Sequence, residues 1–126
     1  MLYQKDWLMR QIEAMIRIIA GIIFQREARS NAVLIPTEPA SGLDPTLRRQ
    51  IDAFLAQGQP CETEDWLFAQ TDPGDIRVLR AALYFYALLN TWSDEELTMH
   101  NFPRDEIKSG LTEICRLYGL DAMLGS

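Results

Sequence analysis

A single histidine, two cysteines and two short acidic runs are the side chains of this sequence best suited to chemistry. For His100 to act as a base, a nucleophile or an orienting carboxylate must stand beside it, because the proton moves only within hydrogen-bond reach. Cys61 and Cys115 carry thiols, yet no local signature pairs either with His100, and free cysteines usually serve as small core hydrophobes. His100 lies between Met99 and Asn101 near an expected helix end, which suits a capping or surface role. Glu62, Glu64 and Asp65 form one acidic run, and Asp94, Glu95 and Glu96 the other. Carboxylate metal sites in helical bundles use a Glu-x-x-His spacing, whereas His100 follows Glu96 by four residues and stands alone. Acid-rich first turns are favoured by the helix dipole in any case. The glycines at 42, 58, 74, 110 and 119 are isolated, so no phosphate-cradling loop is present. The reading is non-enzymatic, with no catalytic, cofactor-binding or metal-ligating residues expected.

The elements that must position these side chains are helices. The first is expected from about Tyr3 to Arg26 or a little further, within an N-terminal helical segment 1–30, with apolar residues at Leu8, Met9, Ile12, Met15, Ile16, Ile19, Ile22 and Ile23. At about 100° per residue they cover an arc of roughly 140°, with Arg10, Arg17 and Gly21 opposite. Two heptad readings overlap, Leu8-Ile12-Met15-Ile19-Ile22 and Met9-Ile12-Ile16-Ile19-Ile23, a stripe broad enough for two neighbours. Leaving eight such side chains wet would cost on the order of 10–20 kcal/mol, comparable to the stability of a whole domain. Something therefore covers the stripe: its own domain, a second copy, another protein or a membrane surface.

Residues 31–43 read as a Pro-containing connector, with Pro36, Pro39 and Gly42 around an apolar anchor at Val33, Leu34 and Ile35. The remainder, 44–126, reads as a helical body, the whole forming a single domain. Asp44-Pro45 opens a second helix that carries Leu47, Ile51, Phe54 and Leu55 and stops at Gly58. A short third helix is expected from about Thr63 to Gln70. Asp75 to about Thr91 forms a fourth, apolar on most sides and so the central one. Phe85 and Tyr86, with Trp92 beyond, are core on this reading, Tyr84 lies off the main stripe at the surface or an interface, and a small-ligand binder using helix 75–91 is a second alternative. Ser93-Asp94-Glu95-Glu96 fits a capping box for a fifth helix ending near His100. Phe102-Pro103 opens the last, which runs to Gly119. The fold class is all-α, a compact bundle of five to six helices.

Charge and composition narrow the function. The 126 residues carry a net charge of −6, which disfavours nucleic acid, since phosphate binding needs clustered Lys and Arg. Residues 1–30 hold five basic and three acidic side chains, a net of +2, against seven and fifteen in the rest, a net of −8. That split favours docking of the first helix on an acidic surface. The apolar positions are interrupted at Arg10, Glu13 and Arg17, which matches neither a signal peptide nor a membrane span. The two cysteines lack a metal or redox spacing, and a reduced, cytoplasmic protein is expected.

The order of motifs resembles an uncharacterised family of small helical proteins from anaerobic Gram-positive bacteria, a domain of unknown function. The likeness rests on Tyr3-Gln4-Lys5-Asp6-Trp7-Leu8-Met9-Arg10-Gln11-Ile12, on Leu83-Tyr84-Phe85-Tyr86-Ala87-Leu88-Leu89-Asn90, and on Ser93-Asp94-Glu95-Glu96-Leu97. The ending Glu106-Ile107-Lys108-Ser109-Gly110-Leu111 followed by Tyr118-Gly119 belongs to it as well. It implies an all-helical fold and carries over no catalytic residues. Residues Gly58 to Pro73 are in addition similar in outline to a tetratricopeptide-type helical hairpin, an analogy of shape that assigns no function.

The expected function is protein–protein interaction or oligomerisation through the apolar face of the first helix, Leu8 to Ile23. The partner is a second copy, with a dimer favoured, or another protein. The alternative is peripheral membrane association of the same helix, with Trp7, Lys5, Arg10 and Arg17 at the lipid surface.

Overall fold

The computed structural model describes residues 2–31 and 43–120, with side chains for 6–25 and 43–120. The described residues form six helices and no strand: α1 (Leu2–Asn31), α2 (Pro45–Ala56), α3 (Pro60–Ala69), α4 (Ile76–Asn90), α5 (Asp94–Met99) and α6 (Arg104–Leu117). Most of the connector expected at 31–43 lies outside the described residues. The first helix runs a little past Arg26, to Asn31.

Side-chain caps set the starts of three helices. Asp44 Oδ2 accepts from the Leu47 amide at 3.0 Å with Pro45 in the first turn of α2. Asp75 Oδ1 accepts from the Arg77 amide at 3.0 Å and opens α4. The capping box at α5 is complete, since Ser93 Oγ accepts from the Glu96 amide and Glu96 Oε1 accepts from the Ser93 amide. The third helix begins at Pro60 rather than Thr63. Pro60 fits the first turn, and Thr63 is a buried interior residue whose hydroxyl donates to the Gln59 carbonyl at 2.7 Å.

Three helices end in the same way. The residue after the C-cap turns left-handed, and its own amide and the following one donate to carbonyls of the last helical turn. Gly58 (φ +70°) ends α2, Gly119 (φ +72°) ends α6, and Asn101 (φ 59°) ends α5. The second helix therefore stops at Ala56, two residues before the glycine that terminates it.

The core lies among α1, α4 and α6, each in contact with the other two; α2 and α3 pack together and onto α4, and α5 leans on α6. Ten of the fifteen residues of α4 are buried, which makes it the central helix. Phe85 meets Phe102 edge-on, with ring centroids 6.0 Å apart. Ile12, Ile16, Ile19 and Ile23 of α1 are buried in this same core. No helix among the described residues is long and apolar enough to cross a membrane.

Candidate interaction surface

The apolar stripe of α1 divides between the core and the surface. Ile12, Ile16, Ile19 and Ile23 belong to the chain's own core, on an arc of about 60°. Leu8, Met15 and Ile22 are half-buried against that core, and Met9 is half-buried beside α4. Four of the eight stripe residues are thus enclosed by α4 and α6. Only the margin of the stripe stays partly open to solvent.

A second apolar arc faces outward. Trp7 is 59% exposed and Ile18 44%, two of the three large hydrophobic side chains left exposed among the described residues. With Ala14 and Gly21 they occupy an arc of about 60° that lies nearly opposite the buried isoleucines. A Cβ placed on Gly21 meets no atom within 4 Å, so the backbone is open to an approaching helix there. The Lys108 ammonium of α6 lies 5.7 Å from the Trp7 ring centre, a cation–π contact that holds the indole in place. Gln11 stands on the same side, and its Oε1 is buried without a hydrogen-bond partner. Arg10 and Arg17 border the arc on one side, Glu13 lies further round beside the groove with α4, and all three are exposed. Glu13 and Arg17 have no ion-pair partner among the described residues. The sequence signal for this arc was a Trp and an Ile among small residues on the polar side. The larger periodic stripe masked it.

A groove of about 520 Å³ runs between α1 and α4, lined by Met9, Glu13, Ile16, Arg17, Ala87, Asn90 and Thr91. Its polar groups are already engaged. Asn90 Nδ2 donates to the Met9 carbonyl at 3.2 Å, and Thr91 Oγ1 donates to the Leu88 carbonyl at 2.6 Å. Behind it, buried Arg104 donates to Asn90 Oδ1 at 3.0 Å, to the Asn90 carbonyl at 2.8 Å and to the Trp92 carbonyl. Its Nε pairs with Asp94 at 2.9 Å. One guanidinium thus ties the start of α6 to the end of α4 and the start of α5. Sequence reasoning passed over Arg104, because a charged residue after Pro103 reads as solvated.

A smaller groove of about 300 Å³ lies between α3 and α6, lined by Glu64, Phe68, Glu106, Ser109, Gly110 and Glu113. The Tyr86 hydroxyl donates to Glu64 at its base. Burial pushes the Glu64 carboxyl above its ordinary value, with Glu106 and Asp65 adding repulsion and the Tyr86 bond opposing both. Burial beside Glu64 likewise holds Tyr86 firmly in its neutral form.

The histidine and the cysteines do not form a reactive pair. Cys61 Sγ points at the backbone carbonyls of His100 and Asn101, 3.7 and 3.5 Å away. The imidazole caps α5 with Nδ1 2.9 Å from the Glu96 carbonyl, stacks beside Trp92 and lies over Gly58. Burial and neighbouring carboxylates raise the Cys61 thiol, opposite to the shift that generates a thiolate nucleophile. Cys115 is buried and unbridged. No group of three metal-ligating side chains forms among the described residues. Phe85 and Tyr86 are wholly buried, whereas Tyr84, half-buried, donates to Asp52 at 2.7 Å.

No curated protein and no solved structure matches the chain. The residues quoted from α1 through Gly119 fall within one family model, which matches residues 2–119 and carries the description "family of unknown function". The chain belongs to that family, DUF6483.

Proposed function

We propose that the protein is a non-enzymatic interaction module that self-associates through the outward side of α1. The observation that carries this reading is the placement of Trp7 and Ile18 on one arc of a helix whose opposite arc is already core. Interface anchors are typically aromatic side chains set among small or polar neighbours, and a Trp held by Lys108 loses little freedom on docking. Arg10 and Arg17 flank the arc while Glu13 turns towards the α1–α4 groove, so the reading rests on the apolar anchors rather than on charge. One helix face buries an area at the low end of specific interfaces, so association is reversible and concentration-dependent. Cys61 and Cys115 as separate thiols suit a reducing, cytoplasmic setting.

Light scattering behind size exclusion, run across a dilution series, tests the reading. The full chain is expected to form a dimer that dissociates on dilution. The double variant Trp7→Ala with Ile18→Asp is expected to stay monomeric while keeping the parent melting temperature. A full chain that is monomeric up to its solubility limit overturns the proposal. If that monomer co-floats with phosphatidylglycerol-containing vesicles, the arc is a lipid-facing surface instead.

A further inference from the structure

Taking the self-association reading as its basis, we infer that Trp7 of one copy enters the acidic groove between α3 and α6 of the second, in a two-fold dimer centred on α6. Three helices share the outer layer that carries Trp7. One side of α6 meets α1 through the Lys108–Trp7 contact, and the side bearing Glu106, Gly110 and Glu113 meets α3 across the groove. Between the two sides stand Asp105, Ser109, Thr112 and Arg116, all exposed and spaced by steps of four, three and four, as in a helix–helix seam. The layer thus has a basic edge at Arg10 and Arg17 of α1. Its opposite edge is acidic, with Glu106 and Glu113 in the groove and Asp65 exposed on α3. An acidic partner would answer only the first edge and a basic partner only the second. A second copy turned through 180° answers both, as an isologous interface requires.

The axis stands normal to the layer, between Ser109 and Thr112. The two α6 helices then run antiparallel, Ser109 faces Thr112 of the partner subunit, and these small side chains let the backbones approach. Asp105 has no ion-pair partner among the described residues, and it faces Arg116 of the partner subunit. Asn90, which holds the start of α6 through Arg104, also holds the Met9 carbonyl, and Ile12 to Ile23 continue along the core, so α1 and α6 run the same way. With 1.5 Å of rise per residue in both helices, Trp7, beside Lys108, comes level with Glu113 of the partner subunit. There the groove of about 300 Å³, with Phe68 in its wall, receives the indole. Arg10 and Arg17 fall on either side of the level of Glu106 of the partner subunit, about 5 Å from it along the axis. Asp6 lies further round α1 than either arginine, away from the anchors.

Disulfide trapping in a Cys61→Ser background tests the geometry, since Cys115 is buried. The two Ser109 positions lie about 4.5 Å apart along the axis, whereas the two α1 helices lie on opposite margins of the dimer, about 20 Å apart. Ser109→Cys is therefore expected to give a covalent dimer under mild oxidation, and Gly21→Cys none. Charge reversal tests the edges. Arg10→Glu with Arg17→Glu, and separately Asp65→Lys with Glu106→Lys, are each expected to weaken the dimer about tenfold at an unchanged melting temperature. Combining the four substitutions is expected to restore the parent Kd within a few-fold. Cross-linking at Gly21→Cys means that α1 pairs with α1 and overturns the inference, leaving self-association intact. A dimer by light scattering that does not cross-link at Ser109→Cys, or a combined variant no tighter than its parents, overturns it as well. A full chain that never dimerises overturns the inference together with the reading it rests on.

Discussion

The Tyr86 hydroxyl reaches Glu64 by passing directly over the backbone of Gly110, so that a bond between α4 and α3 runs across α6. A Cβ at Gly110 would overlap Tyr86 Oη and lie 2.5 Å from Glu64 Oε2. Three helices thus meet at a point where only hydrogen fits. Gly110→Ala is expected to destabilise the protein by about 1–3 kcal/mol through overpacking, because the phenol is buried and has nowhere to move. Thermal or urea denaturation checks this, and an unchanged midpoint contradicts the close approach.

The same junction makes stability depend on pH. The folded-state value of Glu64 is raised above its unfolded value, so the folded chain holds the proton more tightly. This group's effect is therefore most favourable below the unfolded carboxylate value of about 4.3, and it is lost as pH rises through the raised folded value. Glu64→Gln keeps an acceptor for Tyr86 and removes the buried charge. It is expected to melt higher than the parent at neutral pH, with the difference closing towards pH 4. Parallel melting curves at both pH values that differ by a constant amount contradict this account.

Arg104 and Asp94 form an unequal pair, the guanidinium buried and the carboxylate half exposed. Arg104→Met leaves the carbonyls of Asn90 and Trp92 without their donor and is expected to cost about 2–4 kcal/mol. Asp94→Asn keeps an acceptor near Arg104 Nε in a solvated position and is expected to cost about 1 kcal/mol or less. Urea titrations of the two variants check the order; equal losses contradict it.

Neighbouring isoleucines on α1 have opposite roles. Ile19 is wholly buried, and Ile19→Ala is expected to cost about 2–5 kcal/mol. Ile18 is exposed, and Ile18→Ala is expected to stay within about 0.5 kcal/mol of the parent while weakening self-association. Comparing melting temperature with mass from light scattering separates the two effects.

The Cys61 thiol, raised by burial and by Glu62, Glu106, Glu64 and Asp65, should be a poor nucleophile near neutral pH. Alkylation by iodoacetamide at pH 7.5 is expected to run slower than for an unstructured cysteine peptide, with the gap narrowing as pH rises. Faster alkylation than the peptide contradicts the structural role of this thiol.

The helices were legible in the sequence because their signals are local. Asp44-Pro45, Asp75 and the Ser93–Glu96 box each act within one turn, and the apolar period of α4 marks the helix that ends up central. The start of α3 was misplaced because Pro60 reads as a breaker, although proline also suits a first turn. Asn101 was missed as a terminator for a related reason, since an asparagine signals a left-handed cap less clearly than Gly58 or Gly119.

On function, the sequence by itself determined that α1 is amphipathic and that its apolar stripe must be covered. It could not say by what, because the stripe has the same period whichever neighbour covers it. Tertiary packing decided that α4 and α6 enclose Ile12, Ile16, Ile19 and Ile23, and it left Trp7 and Ile18 outward. Packing alone also brought Tyr86, Glu64 and Gly110 together from three helices and enclosed Arg104. These contacts join residues distant in the chain, and no local propensity encodes which helix faces which.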